Sequence, residues 1–312
     1  MNVLVTGASG FAGSYLTELL TSNSSANIWA LAREKLEPGP SNLNWAIGDL
    51  LKPEFASQLI DQVKPDIIYH LAAYPSPQDS FKHPLKAIYE TQAMQINLLE
   101  ACLKSQVFPR VLLSGSGQIY GRPDKLPVGE EAKINCTTPY AVAKFSQETI
   151  AGYYIGRGIE TVIARSFNHT GPRQKLGFLV ADLACQVAKA EVSGIKTIKV
   201  GNLSSKRDFT DVRDVVRAYI SLLEIGESGE PYNVCSSRSV SGQDILDMLI
   251  KLAKSEIQIE TDESKMRPSD VADIRGDHTK LTTATGWKPE IAFEQTISDT
   301  LDYWREKIRT SS

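Results

Sequence analysis

A tyrosine and a lysine four residues apart, Tyr140-x-x-x-Lys144, share one face of any helix that carries them. A free phenol titrates near 10 and is a poor acid or base at neutral pH. An ammonium beside it favours phenolate and draws the group toward the working range. A hydroxyl that could orient a substrate's own hydroxyl or carbonyl stands at Ser116, in Ser114-Gly115-Ser116-Gly117-Gln118-Ile119-Tyr120-Gly121. Together these residue types can move a proton at a carbinol or carbonyl. The Tyr-Lys spacing alone occurs by chance on many helices, so its meaning depends on the elements that position it.

Those elements begin at the first residues. Val3, Leu4 and Val5 form a short apolar strand, Gly7, Gly10 and Gly13 follow at spacing three, and Ser14 to Leu20 reads as a helix. A strand, a glycine turn and a helix N-terminus make an anion site, with backbone N–H groups and the helix dipole directed at a phosphate. Phe11 and Ala12 lie inside that turn. The spacing departs from G-x-G-x-x-G, and the alternative is a glycine-rich turn without a ligand. The strand-turn-helix context points to a dinucleotide.

Ile28–Ala32 is the second strand, and Arg33 follows it where an acid would bind the ribose of NAD. Arg pairs with phosphate, so the expected cofactor is NADPH, with NADH left open; the alternative is a solvated arginine. Leu43–Ile47 ends in Gly48-Asp49-Leu50. Asp49 either accepts from an adenine amino group, with Leu50 against the ring, or caps the helix starting near Pro53. Ile67–Leu71 is a fourth strand, and the small Ala72 and Ala73 after Leu71 permit close approach of a pyrophosphate or a nicotinamide ribose. Ser76, between Pro75 and Pro77, either reaches a substrate hydroxyl or is a turn residue. A long helix is expected over Pro84–Lys104, a fifth strand over Val111–Leu113 leading to Ser116, and a helix from Pro139 carrying Tyr140 and Lys144.

The 312 residues suffice for one large α/β domain with an added lobe. A net charge of −3 makes no electrostatic case for nucleic acid or an anionic membrane. No apolar run approaches the ~20 residues that span a bilayer, and the N-terminus lacks the pattern of a signal peptide. Cys102, Cys136, Cys185 and Cys235 are far apart and the four histidines lack ligand spacing. Free thiols in a reducing cytoplasm and no metal are expected.

Over essentially its whole length the chain resembles the extended short-chain dehydrogenases/reductases that act on nucleotide sugars. The resemblance rests on Thr6-Gly7-x-x-Gly10-x-x-Gly13, Leu71-Ala72-Ala73, Ser116, Tyr120-Gly121 and Tyr140-x-x-x-Lys144. It implies an α/β fold: a Rossmann-type doubly wound parallel sheet, mainly residues 1–165, with a smaller C-terminal substrate-binding lobe, mainly 166–312, interleaved with it. It also implies a homodimer built from the two long helices. In the family's 4,6-dehydratases an acid base follows the Ser or Thr. Here Gln118 stands at that point, and an amide is no base near pH 7. Reduction or 4-epimerisation of a sugar remains.

Asn168-His169-Thr170-Gly171-Pro172-Arg173 resembles the stretch of enzymes that use GDP-mannose derivatives. By that likeness Asn168 holds the diphosphate or sugar, Val200 the guanine, and Arg207 and Arg267 the diphosphate or ribose; Gln118 also faces substrate. Alternatives are an ion pair of Arg207 with Asp208 or Asp211, and a solvated Arg267. Thr91 and Met94 depart from the family's usual residues in the long helix, which puts a support of the nicotinamide loop in doubt. The expected activity is NADPH-dependent reduction of the 4-keto group of a GDP-4-keto-6-deoxy-mannose to GDP-rhamnose. A 4-epimerase, a GDP-mannose 4,6-dehydratase and a non-catalytic NADP-binding redox sensor are the other readings.

Overall fold

Alternation along the first strand sets the architecture. In the computed structural model, which describes residues 1–23, 25–34, 39–74, 77–193, 197–263 and 271–311, β1 (Asn2–Thr6) turns Val3 and Val5 to one apolar core and Leu4 to another. A strand buried on both faces needs helices on both sides. After β1 come α1 (Phe11–Asn23), β2 (Asn27–Ala32), β3 (Leu43–Ile47), α2 (Pro53–Val63) and β4 (Ile67–His70). Next are α3 (Pro77–Lys82), α4 (Pro84–Lys104), β5 (Arg110–Ser114), a 3-10 turn (Gly117–Tyr120), α5 (Pro139–Ile155) and β6 (Thr161–Ser166).

The second half contributes β7 (Asn168–Thr170), α6 (Leu179–Ser193), β8 (Thr197–Val200), β9 (Lys206–Asp211), α7 (Val212–Ile225) and β10 (Pro231–Val234). It ends with β11 (Ser239–Ser241), α8 (Gly242–Leu252), β12 (Gln258–Thr261), β13 (Asp273–Ile274), α9 (Thr279–Thr285) and α10 (Phe293–Ser311).

Seven parallel strands pair in the order β10-β6-β5-β4-β1-β2-β3. The order reverses between β1 and β4, and ligands of such sheets bind in the crevice at that switch point. Leu16 and Leu20 of α1 and Tyr219 and Leu222 of α7 fill one face, while Leu59, Ile60, Leu98 and Leu99 of α2 and α4 fill the other. A third core joins α6, β8, α8 and α10, with Ile297, Leu301 and Trp304 buried as their spacing predicts. Strand β9 gathers β7, β11 and β13 into a small second sheet.

Local signals held where they had a physical cause. Ser241 and Asp244 form a reciprocal capping box at α8, and Gly286 ends α9 at φ 74°. The expected Asp49 cap does not form. Lys52 is the N-cap residue of α2, without a side-chain bond, and Asp49 Oδ1 instead accepts from Leu51 N–H at 2.9 Å. Pro77 starts α3, a short helix not among the elements expected from the sequence.

Candidate active site

The glycine turn is a tight cradle. Gly7 sits at φ +70°, and a Cβ there would lie 2.9 Å from Ala72 N, so β1 and β4 leave the sheet in backbone contact. A Cβ on Gly13 would fall 2.1 Å from Gly7 O. Gly10 N–H closes the turn onto Gly7 O at 2.9 Å, and Gly10 and Ser9 are exposed at the mouth of α1. Bare backbone at a helix N-terminus, walled by Ala72 and Ala73, is what a pyrophosphate requires, and these residues fit a dinucleotide. Arg33 is exposed at the end of β2, free to meet an anion there. Leu50 is 2% exposed in the core and presents almost no surface, contrary to the expected contact with an adenine ring. Phe11 also has a different use: its ring stacks on His169 with centroids 5.9 Å apart and planes 6° apart.

Ser116, Tyr140 and Lys144 converge at the carboxyl end of β5. Thr138 caps α5 by accepting from Ala141 N–H, and Pro139 starts the helix, which fixes Tyr140 in its first turn. Ser116 Oγ accepts from Gln118 N–H at 3.2 Å, leaving its own proton to donate. In the chain alone, desolvation pushes the Tyr140 phenol up to about 12, with Ser116 pulling the other way. Lys144 does not turn its charge on Tyr140. Its Nζ donates to Ser114 O at 2.7 Å and Gln147 Oε1 at 3.1 Å, and burial lowers it to about 8. At neutral pH the site therefore holds a protonated phenol, a proton donor, beside an ammonium.

The surroundings fix this set. Glu148, one residue past Gln147, is taken by Arg165, whose Nε and Nη2 meet the carboxylate at 3.1 and 2.8 Å. Arg165 Nη1 also donates to Tyr120 Oη at 2.9 Å and Glu130 O at 3.1 Å. Thr91 Oγ1 accepts from Tyr74 N–H at 3.1 Å, so the departure at Thr91 still supports the loop after β4. Tyr74 Oη in turn donates to Asp79 on α3.

In the smaller lobe, Asn168 lies half-buried on β7, paired in register with Phe209 of β9. Arg207 meets backbone carbonyls of the same lobe. Its Nη1 bonds Lys206 O and Val271 O at 2.8 and 2.9 Å, while Asp208 accepts from Ser236 and Gly276 and Asp211 from Arg213. Val200 is 6% exposed, packed in the lobe's core, so its side chain offers guanine little. Ser76 and Arg267 lie outside the described residues.

A family model described as GDP-mannose 4,6 dehydratase matches residues 4–300. The chain is 34% identical to the GDP-6-deoxy-D-mannose reductase of Pseudomonas aeruginosa, over 98% of each chain. It belongs to the extended short-chain dehydrogenase/reductase family, in its GDP-mannose dehydratase-like branch. The structure of RMD from Pseudomonas aeruginosa complexed with NADPH superposes with a TM-score of 0.87 at 32% identity, covering 98% of this chain and 100% of that one. Thermus thermophilus UDP-glucose 4-epimerase in complex with NAD gives 0.86 at 28%, covering 98% and 99%. As a member of this family the chain is an NAD(P)-dependent oxidoreductase.

Four further residues surround this cluster. His70 ends β4 with Nδ1 2.9 Å from Thr6 Oγ1, and burial drives its imidazole down to about 3, so it is neutral. Tyr219 reaches from α7 to Ser166 Oγ at 2.8 Å and acts electrostatically on Tyr140. Gln95 and Gln147 are buried amides between α4 and α5. Only His70 left a signal, a lone polar residue closing an apolar run.

Proposed function

We propose that the protein reduces the 4-keto group of GDP-4-keto-6-deoxy-D-mannose with NADPH, giving GDP-D-rhamnose. The observation that carries this reading is the make-up of the cluster at the end of β5: Ser116, Tyr140 and Lys144 supply hydroxyls and an amine, and Gln118, bonded to Ser116, offers no base. Reduction of a ketone needs a proton donor and no carbon base. Dehydration across C5 and C6 needs the base.

NADPH, when bound, supplies the hydride to C4. Ser116 donates a hydrogen bond to the carbonyl oxygen and orients it. Tyr140 passes the proton from Oη to the oxygen as negative charge grows there. Lys144, held by Ser114 O and Gln147 Oε1 and turned from Tyr140, is suited to a ribose hydroxyl. Gly7, Gly10, Phe11, Ala12 and Gly13 cradle the pyrophosphate, and Arg33 selects NADPH over NADH through the extra phosphate. Asn168, Arg207 and Arg267 are assigned to the sugar diphosphate, in a lobe formed mainly by residues after 165.

A second copy of the chain is the expected partner. Leu85, Tyr89, Val142 and Tyr153 on α4 and α5 are exposed by 82, 65, 39 and 60%, and two such helix pairs would bury each other as a four-helix bundle. Among the described residues no helix is long and apolar enough to cross a membrane. All four thiols are unpaired, which suits a cytoplasmic enzyme.

The test is product analysis by mass spectrometry with GDP-mannose and with its 4-keto-6-deoxy derivative, each with and without NADPH. NADPH consumption only with the keto sugar, yielding a 6-deoxyhexose two hydrogens heavier, is expected, and Tyr140→Phe abolishes it while NADPH still binds. Water loss from GDP-mannose would overturn the reading of Gln118. Inversion without net NADPH use would make the chain an epimerase, and inertness toward both sugars would favour a cofactor sensor.

A further inference from the structure

Lys144 is almost fully buried, yet no carboxylate touches it. Its two partners are neutral: Ser114 O on β5 at 2.7 Å and Gln147 Oε1 one turn along α5 at 3.1 Å. Gln147 is itself wholly buried, and its backbone carbonyl accepts from Gln95 Nε2 of α4 at 3.0 Å. Chemistry fixes both amide orientations, because a carbonyl needs a donor and an ammonium an acceptor. The leftover atoms, Gln95 Oε1 and Gln147 Nε2, are buried without partners. Two buried polar atoms left unsatisfied beside a working lysine are a cost that packing alone does not explain, since an apolar pair of similar size would carry none.

From this arrangement we infer that Gln147, braced by Gln95, is a positioning residue that holds the Lys144 amine with a neutral acceptor and keeps it out of a fixed ion pair. The inference rests on the reading of Tyr140 and Lys144 as the catalytic pair. A carboxylate at 147 would lock the ammonium into a fixed ion pair. An apolar residue would leave it with Ser114 O alone. The other groups acting on Lys144 are Glu148 on its own helix, already held by Arg165, and the neutral His70 at the end of β4. Tyr140 lies one turn back on α5.

The test reads Lys144 directly in the full chain, without sugar or cofactor. The 13Cε resonances of labelled lysines are followed against pH, and the Lys144 signal is identified by its loss in Lys144→Arg. In wild type Lys144 titrates near 8. Gln147→Glu is expected to raise that midpoint by about one to three pH units, as an adjacent opposite charge does. Gln147→Met, which removes the acceptor at similar size and stays informative should the glutamate unfold the chain, is expected to lower it. An unmoved midpoint in a folded Gln147→Glu, or in Gln147→Met, overturns the inference. A shifted midpoint in a chain inert toward GDP-sugars would leave the inference standing and remove the proposed substrate.

Discussion

Arg165→Met removes the charge that holds Glu148 behind the catalytic loop. Both side chains are nearly inaccessible, at 8 and 6% exposure. The guanidinium makes three contacts with the carboxylate, between 2.8 and 3.2 Å, and one each with Tyr120 Oη and Glu130 O. Methionine restores part of the buried volume and none of these bonds, so Glu148 is left as a buried, unpaired charge. Breaking a buried pair this way costs about 3–5 kcal/mol. With ~2 cal/mol/K of unfolding entropy per residue over the whole chain, that is a fall in melting temperature of about 5–8 °C. The double variant Arg165→Met, Glu148→Leu removes both charges and keeps only the loss at Tyr120 and Glu130, about 1–2 kcal/mol. Calorimetry at pH 7 should therefore find the double variant more stable than the single one. A single variant melting within about 1 °C of wild type, or a double variant no better than the single, would refute the claim that Glu148 is charged and committed to Arg165.

Two further substitutions address the cofactor. Gly13→Ala drives a methyl into Gly7 O and opens the turn; NADPH affinity measured by fluorescence should fall tenfold or more, about 1.4 kcal/mol, and an unchanged Kd would show that the turn is not the pyrophosphate cradle. Arg33→Ser removes a charge-assisted phosphate contact of about 1.5–3 kcal/mol, so NADPH affinity should drop by roughly one to two orders of magnitude while NADH affinity stays level. Equal losses for both cofactors would remove Arg33 from the 2′-phosphate.

What was legible in the sequence had a local cause. The glycine triplet, the strands of alternating core residues, the capping box at Ser241 and the helix start at Pro139 each depend on residues within one turn or one strand of each other. The misreadings depend on distant partners. Lys144 was expected to act on Tyr140, four residues away, because nothing in the sequence says that β5 brings the Ser114 carbonyl to its Nζ. The desolvation that raises Tyr140 in the chain alone comes from the assembled cleft and is not readable from spacing either. Leu50 and Val200 are apolar at positions where a ligand contact and a core contact have the same composition, and the fold spent both on the core. The backbone carbonyl that Arg207 meets on the segment leading to β13 is likewise distant in sequence and left no signal there.

Helix α5 shows how one element can serve both the chemistry and its support. Tyr140 lies four residues before Lys144, and Gln147 and Glu148 lie three and four after it, so both flank the lysine on its side of the helix. Distance along the helix cannot keep the Glu148 carboxylate from neutralising Lys144; only a competing partner can. Arg165, rising from β6 with its fork against both carboxylate oxygens, is that partner. With Glu148 drawn away, the acceptor left within reach of Lys144 on its own helix is the uncharged Gln147, and the lysine is lowered to about 8 instead of being held high by an ion pair. The Arg165 network thus acts on catalysis at one remove: its loss would threaten the fold and would also free a carboxylate to capture the amine that the site keeps out of an ion pair.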